Sequence, residues 1–143
     1  MMNRSITTHS EEETILAGEA FSGQLAAGDI VALFGDLGSG KTRFVKGVSR
    51  GLGVSEQVTS PTFVVVNEHR HGRLPLFHFD FYRLRSIEEL REIGFDEYVD
   101  GEGVCVLEWA DKIQQYLPAH RYDIHFAYGM SENERIITIG DLR

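Results

Sequence analysis

Several things are scarce in this sequence. It has one cysteine, three prolines, one tryptophan, and fewer basic than acidic side chains, 14 Lys plus Arg against 22 Asp plus Glu. A lone cysteine excludes an internal disulfide and fits a reducing compartment. Cys105 lies in an apolar run, where a buried and inert thiol is expected. No stretch approaches the roughly 20 apolar residues of a membrane span. Residues 1 to 14 are polar and acidic rather than signal-like, so a cytoplasmic protein with no membrane partner is expected. The net charge of −8 argues against a tight direct grip on nucleic acid phosphates. With 143 residues, 42% of them hydrophobic, residues 1–143 are expected to form a single domain around one core. No repeat, low-complexity tract or linker interrupts it.

Glycine, by contrast, is concentrated where it can do chemistry. Gly35-Asp36-Leu37-Gly38-Ser39-Gly40-Lys41-Thr42 matches G-x-x-x-x-G-K-[ST] at every fixed position. Glycines at 35, 38 and 40 let the backbone approach a ligand closely and converge its N–H groups on phosphate oxygens. Lys41 supplies a point charge for the β- and γ-phosphates, and the Thr42 hydroxyl is suited to Mg²⁺. The flanks agree. Ile30-Val31-Ala32-Leu33-Phe34 reads as a strand buried on both faces. Phe44, Val45, Val48 and Leu52 then recur at helical spacing, with Gly51 and Gly53 expected to end the helix. A helix N-terminus thus falls where the phosphates would sit.

Elsewhere, Ser10-Glu11-Glu12-Glu13 reads as a capping box opening a helix with Ala17, Phe21 and Leu25 on one face. Residues 62 to 68 and 74 to 82 read as antiparallel neighbours across a polar turn, in which His69 and His71 are expected to be solvated. In Leu76-Phe77-His78-Phe79-Asp80-Phe81-Tyr82 the phenylalanines alternate with His78, Asp80 and Tyr82. Ser86-Ile87-Glu88-Glu89 reads as a second capping box, and Gly94 as the stop of its short helix. Residues 103 to 109 read as another short apolar strand, with the carboxylate of Glu108 at its end, residues 110 to 116 as one or two helical turns, and 122 to 128 with 135 to 139 as a closing hairpin. The expected fold is α/β: a single phosphate-loop NTPase-like domain whose mixed central sheet has a parallel core and antiparallel hairpins, flanked by helices.

A triphosphate site that turns over also needs acids to hold the metal's water shell and orient the attacking water. Asp80 and Glu108 each end an apolar strand, and in a parallel sheet ligands gather at the carboxyl ends of strands. Lys41, Asp80 and Glu108 are therefore the catalytic candidates.

These motifs also carry a resemblance that spans nearly the whole chain. Gly35 to Thr42, Ser60-Pro61-Thr62-Phe63, His78-Phe79-Asp80-Phe81-Tyr82-Arg83-Leu84 and Glu108-Trp109-Ala110-Asp111-Lys112 together resemble the TsaE (YjeE) family. The resemblance implies a bacterial ATPase, slow alone and dependent on partners, in the biosynthesis of threonylcarbamoyladenosine in tRNAs that read ANN codons. It implies the TsaB and TsaD proteins of the threonylcarbamoyl transferase as partners, tRNA being met indirectly, and leaves self-association open. It implies ATP and Mg²⁺ as cofactors, with Gly35, Asp36, Leu37, Gly38, Ser39, Gly40, Lys41 and Thr42 on the phosphates. Thr42 and Glu108 would hold the metal, Asp80 would organise the water, and Thr62 would sense the γ-phosphate. Ser10, Glu11 and Glu132 would lie near the adenine, and Trp109 beside the site. The lack of an Asn-Lys-x-Asp segment favours ATP over GTP. The alternatives are a small-molecule kinase using Arg83 and Arg85, a nucleotide-binding module without turnover, and a metal hydrolase built on His78 and Asp80.

Overall fold

The structure, a computed structural model, describes residues 2–55 and 66–143. Its strands are β1 (Met2–Thr8), β2 (Ile30–Phe34), β3 (Val66–His69), β4 (Leu76–Asp80), β5 (Val104–Glu108), β6 (Tyr122–Tyr128) and β7 (Arg135–Asp141). Its helices are α1 (Glu11–Ser22), α2 (Lys41–Gly51), α3 (Ile87–Glu92) and α4 (Phe95–Val99), with a 3₁₀ segment over Ala110–Tyr116. The strands join one sheet in the order β1-β7-β6-β2-β5-β4-β3. β6, β2, β5 and β4 run parallel, while β3, β7 and β1 each pair antiparallel with their neighbour. The expected parallel core with antiparallel hairpins is therefore present, and all four parallel strands bring their carboxyl ends to one edge.

Strand periodicity explains the layering. Val31 and Leu33 of β2 face a cluster with Phe44, Val45 and Val48 of α2 and Phe21 of α1. Ile30 and Ala32 face the opposite cluster with Phe77, Phe79, Phe81, Leu90, Phe95 and Ile113. A strand covered on both sides reads as a continuous apolar run, as residues 30 to 34 do. Cys105 belongs to the second cluster, and burial pushes its thiol up to about 12.

α1 begins as its sequence dictates: the Ser10 hydroxyl accepts from the Glu13 amide at 3.1 Å. The return bond differs slightly, because Glu13 Oε1 takes the amide of His9 at 2.7 Å rather than that of Ser10. At α3 the expected box is half formed. Ser86 occupies the cap position but its hydroxyl makes no capping bond, while Glu89 Oε1 accepts the Arg85 amide at 3.0 Å. Residues 62 to 65 of the expected hairpin lie outside the described residues, and its remainder pairs Val66 with Phe79 through His69 with Leu76. That pairing overturns the expectation for His69: it closes β3 and is buried, whereas His71 is exposed.

One strand departs from the sequence reading. It is β1, whose residues pair with the full length of β7 although, among its described side chains, Ile6 alone packs on the apolar core. Main-chain hydrogen bonds, not apolar periodicity, hold it. The end of α2 is as read: Gly51 is its last residue and Gly53, with φ +79°, follows the cap Leu52. A Cβ on Gly51 would stand 2.9 Å from the Glu19 carbonyl oxygen and closer still to the Ser22 hydroxyl. On Gly47 it would stand 2.8 Å from the Glu19 amide nitrogen and overlap the Ile15 carbonyl, and on Gly18 it would strike the Phe44 carbonyl. These three glycines let the backbones of α1 and α2 touch.

Gly47→Ala separates two opposed effects. Helix propensity alone would stabilise the variant by about 1 kcal/mol. Forcing a methyl against backbone costs about 1–3 kcal/mol, and more where backbone cannot yield. A net loss of about 2 kcal/mol is expected, read as a lower urea midpoint at unchanged slope. The Cys105 thiol should resist an aromatic disulfide reagent at pH 8 in the native protein and react fully in denaturant.

Candidate nucleotide site

The loop between β2 and α2 lies at the carboxyl edge of the sheet. Gly40, with φ +105°, takes the N-cap position of α2 in a left-handed conformation and, as a glycine, offers no side-chain cap of its own. The helix dipole favours an anion at this first turn. Gly35 permits a close approach: a Cβ on it would lie 2.6 Å from Ser39 Oγ and 3.0 Å from the Phe126 carbonyl oxygen. Ser39 Oγ is itself buried and meets no hydrogen-bond partner among the described residues.

Lys41 and Thr42 open α2. The Lys41 ammonium donates to the Gly35 carbonyl oxygen and lies 3.4 Å from the centroid of the Trp109 ring. Burial holds its pKa below the ordinary lysine value, although Glu108, Asp111, Asp80 and Asp36 pull the other way. The Thr42 hydroxyl donates to Glu108 Oε1 at 3.0 Å. The other carboxylate oxygen of Glu108, Oε2, lies 2.5 Å from His78 Nε2. Glu108 ends β5, and the strand register sets Asp80, at the end of β4, directly beside it. Asp80 Oδ1 accepts the Tyr82 amide at 3.0 Å. Burial nevertheless raises its pKa, and the nearby Glu108 charge adds to the rise, against the lowering effects of the Tyr82 amide, His78 and Lys41. The two strand-end acids thus converge on the loop's lysine and threonine.

Trp109 follows Glu108 with φ 57° and ψ 43°, the one non-glycine with positive φ among the described residues. Such a conformation costs about 1–3 kcal/mol and persists only where the surroundings impose it. Here the turn throws the indole back over Lys41, with Tyr82 packed at 4.8 Å on it. The expectation that Trp109 lies beside the site is met.

The other candidates fall around the loop's rim. Ser10 is occupied as the cap of α1, and Glu11 Oε2 lies 3.4 Å from Arg43 Nη2 of α2. Glu132 is in the β6–β7 turn, where its carbonyl accepts from Arg135 Nη1 at 2.9 Å. That turn meets the start of α1 through His9 Nδ1 and Glu134 Oε1, 3.5 Å apart. Thr62 lies outside the described residues. Among the described residues no three His, Cys, Asp or Glu side chains group as metal ligands. His78 is fully buried against Glu108, and Arg83 and Arg85 are exposed.

Three residues were not singled out as supports of the site. The Tyr128 hydroxyl donates to the Leu37 carbonyl at 2.5 Å, and Arg135 Nη2 donates to the Gly38 carbonyl at 3.3 Å. The Arg135 guanidinium also lies 4.7 Å from the Tyr128 ring centroid, so the hairpin grips the loop from outside. His78 is the third. Its alternation with the phenylalanines placed it on the face of Asp80, and this was the only signal available.

A strand buried on both faces, running through a glycine-rich loop into a helix start with glycine at the cap, at the carboxyl edge of a mostly parallel sheet, defines an α/β domain of the phosphate-loop NTPase-like class. The model of the family described as threonylcarbamoyl adenosine biosynthesis protein TsaE matches residues 8–137. The Bacillus subtilis tRNA threonylcarbamoyladenosine biosynthesis protein TsaE is 42% identical over 131 residues, covering 92% of this chain and 81% of that protein. The Treponema pallidum protein of the same name is 41% identical over 132 residues, covering 92% and 96%. The crystal structure of YdiB from Bacillus subtilis superposes with a TM-score of 0.83 at 36% identity, covering 99% of this chain and 87% of that one. The chain belongs to the TsaE family, whose role lies in tRNA threonylcarbamoyladenosine biosynthesis.

Asp80→Asn tests the electrostatics of the strand ends. A carboxyl whose folded pKa is raised binds its proton more tightly folded than unfolded, so wild-type stability falls as pH rises from the ordinary value of about 3.9 through the folded one. Asparagine lacks this penalty. The variant should melt higher than wild type at pH 8, and the gap should close near pH 4; a constant gap would remove Asp80 ionisation as its cause.

Proposed function

We propose that the protein binds ATP with Mg²⁺ in the Gly35–Thr42 loop and hydrolyses it slowly, as the ATP-using component that acts on the TsaB–TsaD transferase complex. The observation that carries this reading is the start of α2, where a left-handed glycine takes the cap position and the Thr42 hydroxyl is held by the buried Glu108 carboxylate. The residues fit the cofactor. The positive end of the α2 dipole and Lys41 suit phosphate oxygens, the Ser39 hydroxyl is available within the loop, and a hydroxyl and a carboxylate are the hard oxygen donors that Mg²⁺ prefers.

Each residue then has a role. The loop amides and the α2 terminus bind the phosphates, and Lys41 leaves the Gly35 carbonyl and the Trp109 face to reach them. Thr42 and Glu108 would hold Mg²⁺, which would supply positive charge to offset that of the phosphates. Asp80, beside Glu108 and already inclined to hold a proton, orients the attacking water and takes its proton. Thr62 senses the γ-phosphate, and Ser10, Glu11 and Glu132 border the adenine.

Arg83 and Arg85, the arginines a kinase would need for its acceptor, are exposed, which suits an ATPase that changes its fit to partners rather than one that phosphorylates an acceptor. Its net charge of −8 suits contact with tRNA through the TsaB and TsaD proteins. No described helix is long and apolar enough to cross a membrane, and we place the protein in the cytoplasm with its tRNA pathway.

Calorimetry and steady-state turnover test this together. Lys41→Ala should weaken ATP binding about tenfold or more, the loss of one charge-assisted phosphate contact. Asp80→Ala should still bind ATP but turn over about 10²-fold more slowly. Turnover should rise when the TsaB and TsaD proteins and tRNA are added. Stimulation instead by a metabolite, with a phosphorylated product, would point to a kinase.

A further inference from the structure

His78 has no place in the reaction as described so far, yet it is 0% exposed and its ring is aimed at a residue of the site. The register explains the aim. His78 is opposite Val106 on β5, so Glu108, two residues further on, is its diagonal neighbour on the same face of the sheet. Phe77 and Phe79 on either side point into the opposite cluster and lock the backbone of β4. The imidazole therefore has little freedom to point elsewhere.

The two ring nitrogens are in different surroundings. Nε2 lies 2.5 Å from Glu108 Oε2, whereas Nδ1 is buried and meets no hydrogen-bond partner among the described residues. An ionised carboxylate only accepts, so the proton must be on Nε2. Nδ1 has no acceptor among the described residues, so the hydrogen bond to Glu108 is made from Nε2–H. Glu108 is then fixed at both ends, Oε2 by His78 and Oε1 by the Thr42 hydroxyl.

We propose that His78 is a positioning residue for Glu108. Its Nε2–H sets the carboxylate plane so that Oε1 stays at Thr42, where the cation of a bound nucleotide would be met. This rests on the reading that Thr42 and Glu108 hold Mg²⁺. Groups that hydrogen-bond a metal ligand from behind typically govern affinity by about 10–100-fold when removed.

The test uses the full chain and a non-hydrolysable ATP analogue, titrated with and without MgCl₂, together with ¹⁵N spectra of the imidazole. His78→Gln, whose amide nitrogen can stand in for Nε2, should keep the magnesium enhancement within about threefold of wild type. His78→Leu should lose about 10–100-fold of it and bind the magnesium-free analogue as wild type does. Should the leucine variant not fold, His78→Asn serves, since its shorter amide cannot reach Glu108. A merely structural role would lower the melting temperature and leave the ratio of the two affinities alone. An unchanged ratio in His78→Leu or His78→Asn, or an Nδ1–H tautomer in the wild-type spectrum, overturns the inference while the nucleotide reading stands. A wild-type protein that shows no magnesium enhancement overturns both.

Discussion

A carboxylate with 2% exposure has to find a donor for each oxygen or lose its charge, and Glu108 finds one on each of two different elements. Thr42 comes from the first turn of α2 and His78 from the middle of β4. That single residue therefore ties the helix carrying the phosphate loop to the centre of the sheet. Its neighbour Asp80 has a weaker arrangement, one backbone amide and partial burial, and its acidity is correspondingly shifted toward the protonated form. Two acids side by side with different surroundings can do different work, one as a fixed anion and one as a proton acceptor.

The position of α2 is held from the other side by α1. Glycines on both helices bring backbone against backbone, so the approach is set by peptide groups rather than by deformable side chains. A helix seated in this way has little room to slide, and its first turn stays where Thr42 meets Glu108. The hairpin of β6 and β7 completes the arrangement, since Tyr128 and Arg135 bond the carbonyls of Leu37 and Gly38.

What could be read beforehand follows from how local each signal is. The phosphate loop, the strand before it and the caps of α1 are encoded within a few residues, and the structure repeats them with small changes. Asp80 and Glu108 were visible as acids at strand ends, but their adjacency depends on β4 and β5 pairing in a particular register, which no local pattern states. β1 was missed because its inward face offers little beyond Ile6, and a strand held by its ladder leaves almost no apolar signature. Gly47 was passed over because a glycine within a helix reads as a propensity penalty, whereas its value lies in a helix distant in sequence. Tyr128 and Arg135 were read only as parts of a hairpin for the same reason: their partners are on the far side of the chain. His69 went wrong because a polar stretch between strands looks solvated, and pairing with Leu76 buries it.

The left-handed turn at Trp109 has an optical consequence. The chain has one tryptophan, and its ring is in van der Waals reach of an ammonium group. Indole emission depends on nearby charge, so the colour and yield of this protein's fluorescence are set largely by where one lysine sits. Without any label, the molecule carries a gauge of whether that lysine rests against the indole or has moved to an anion.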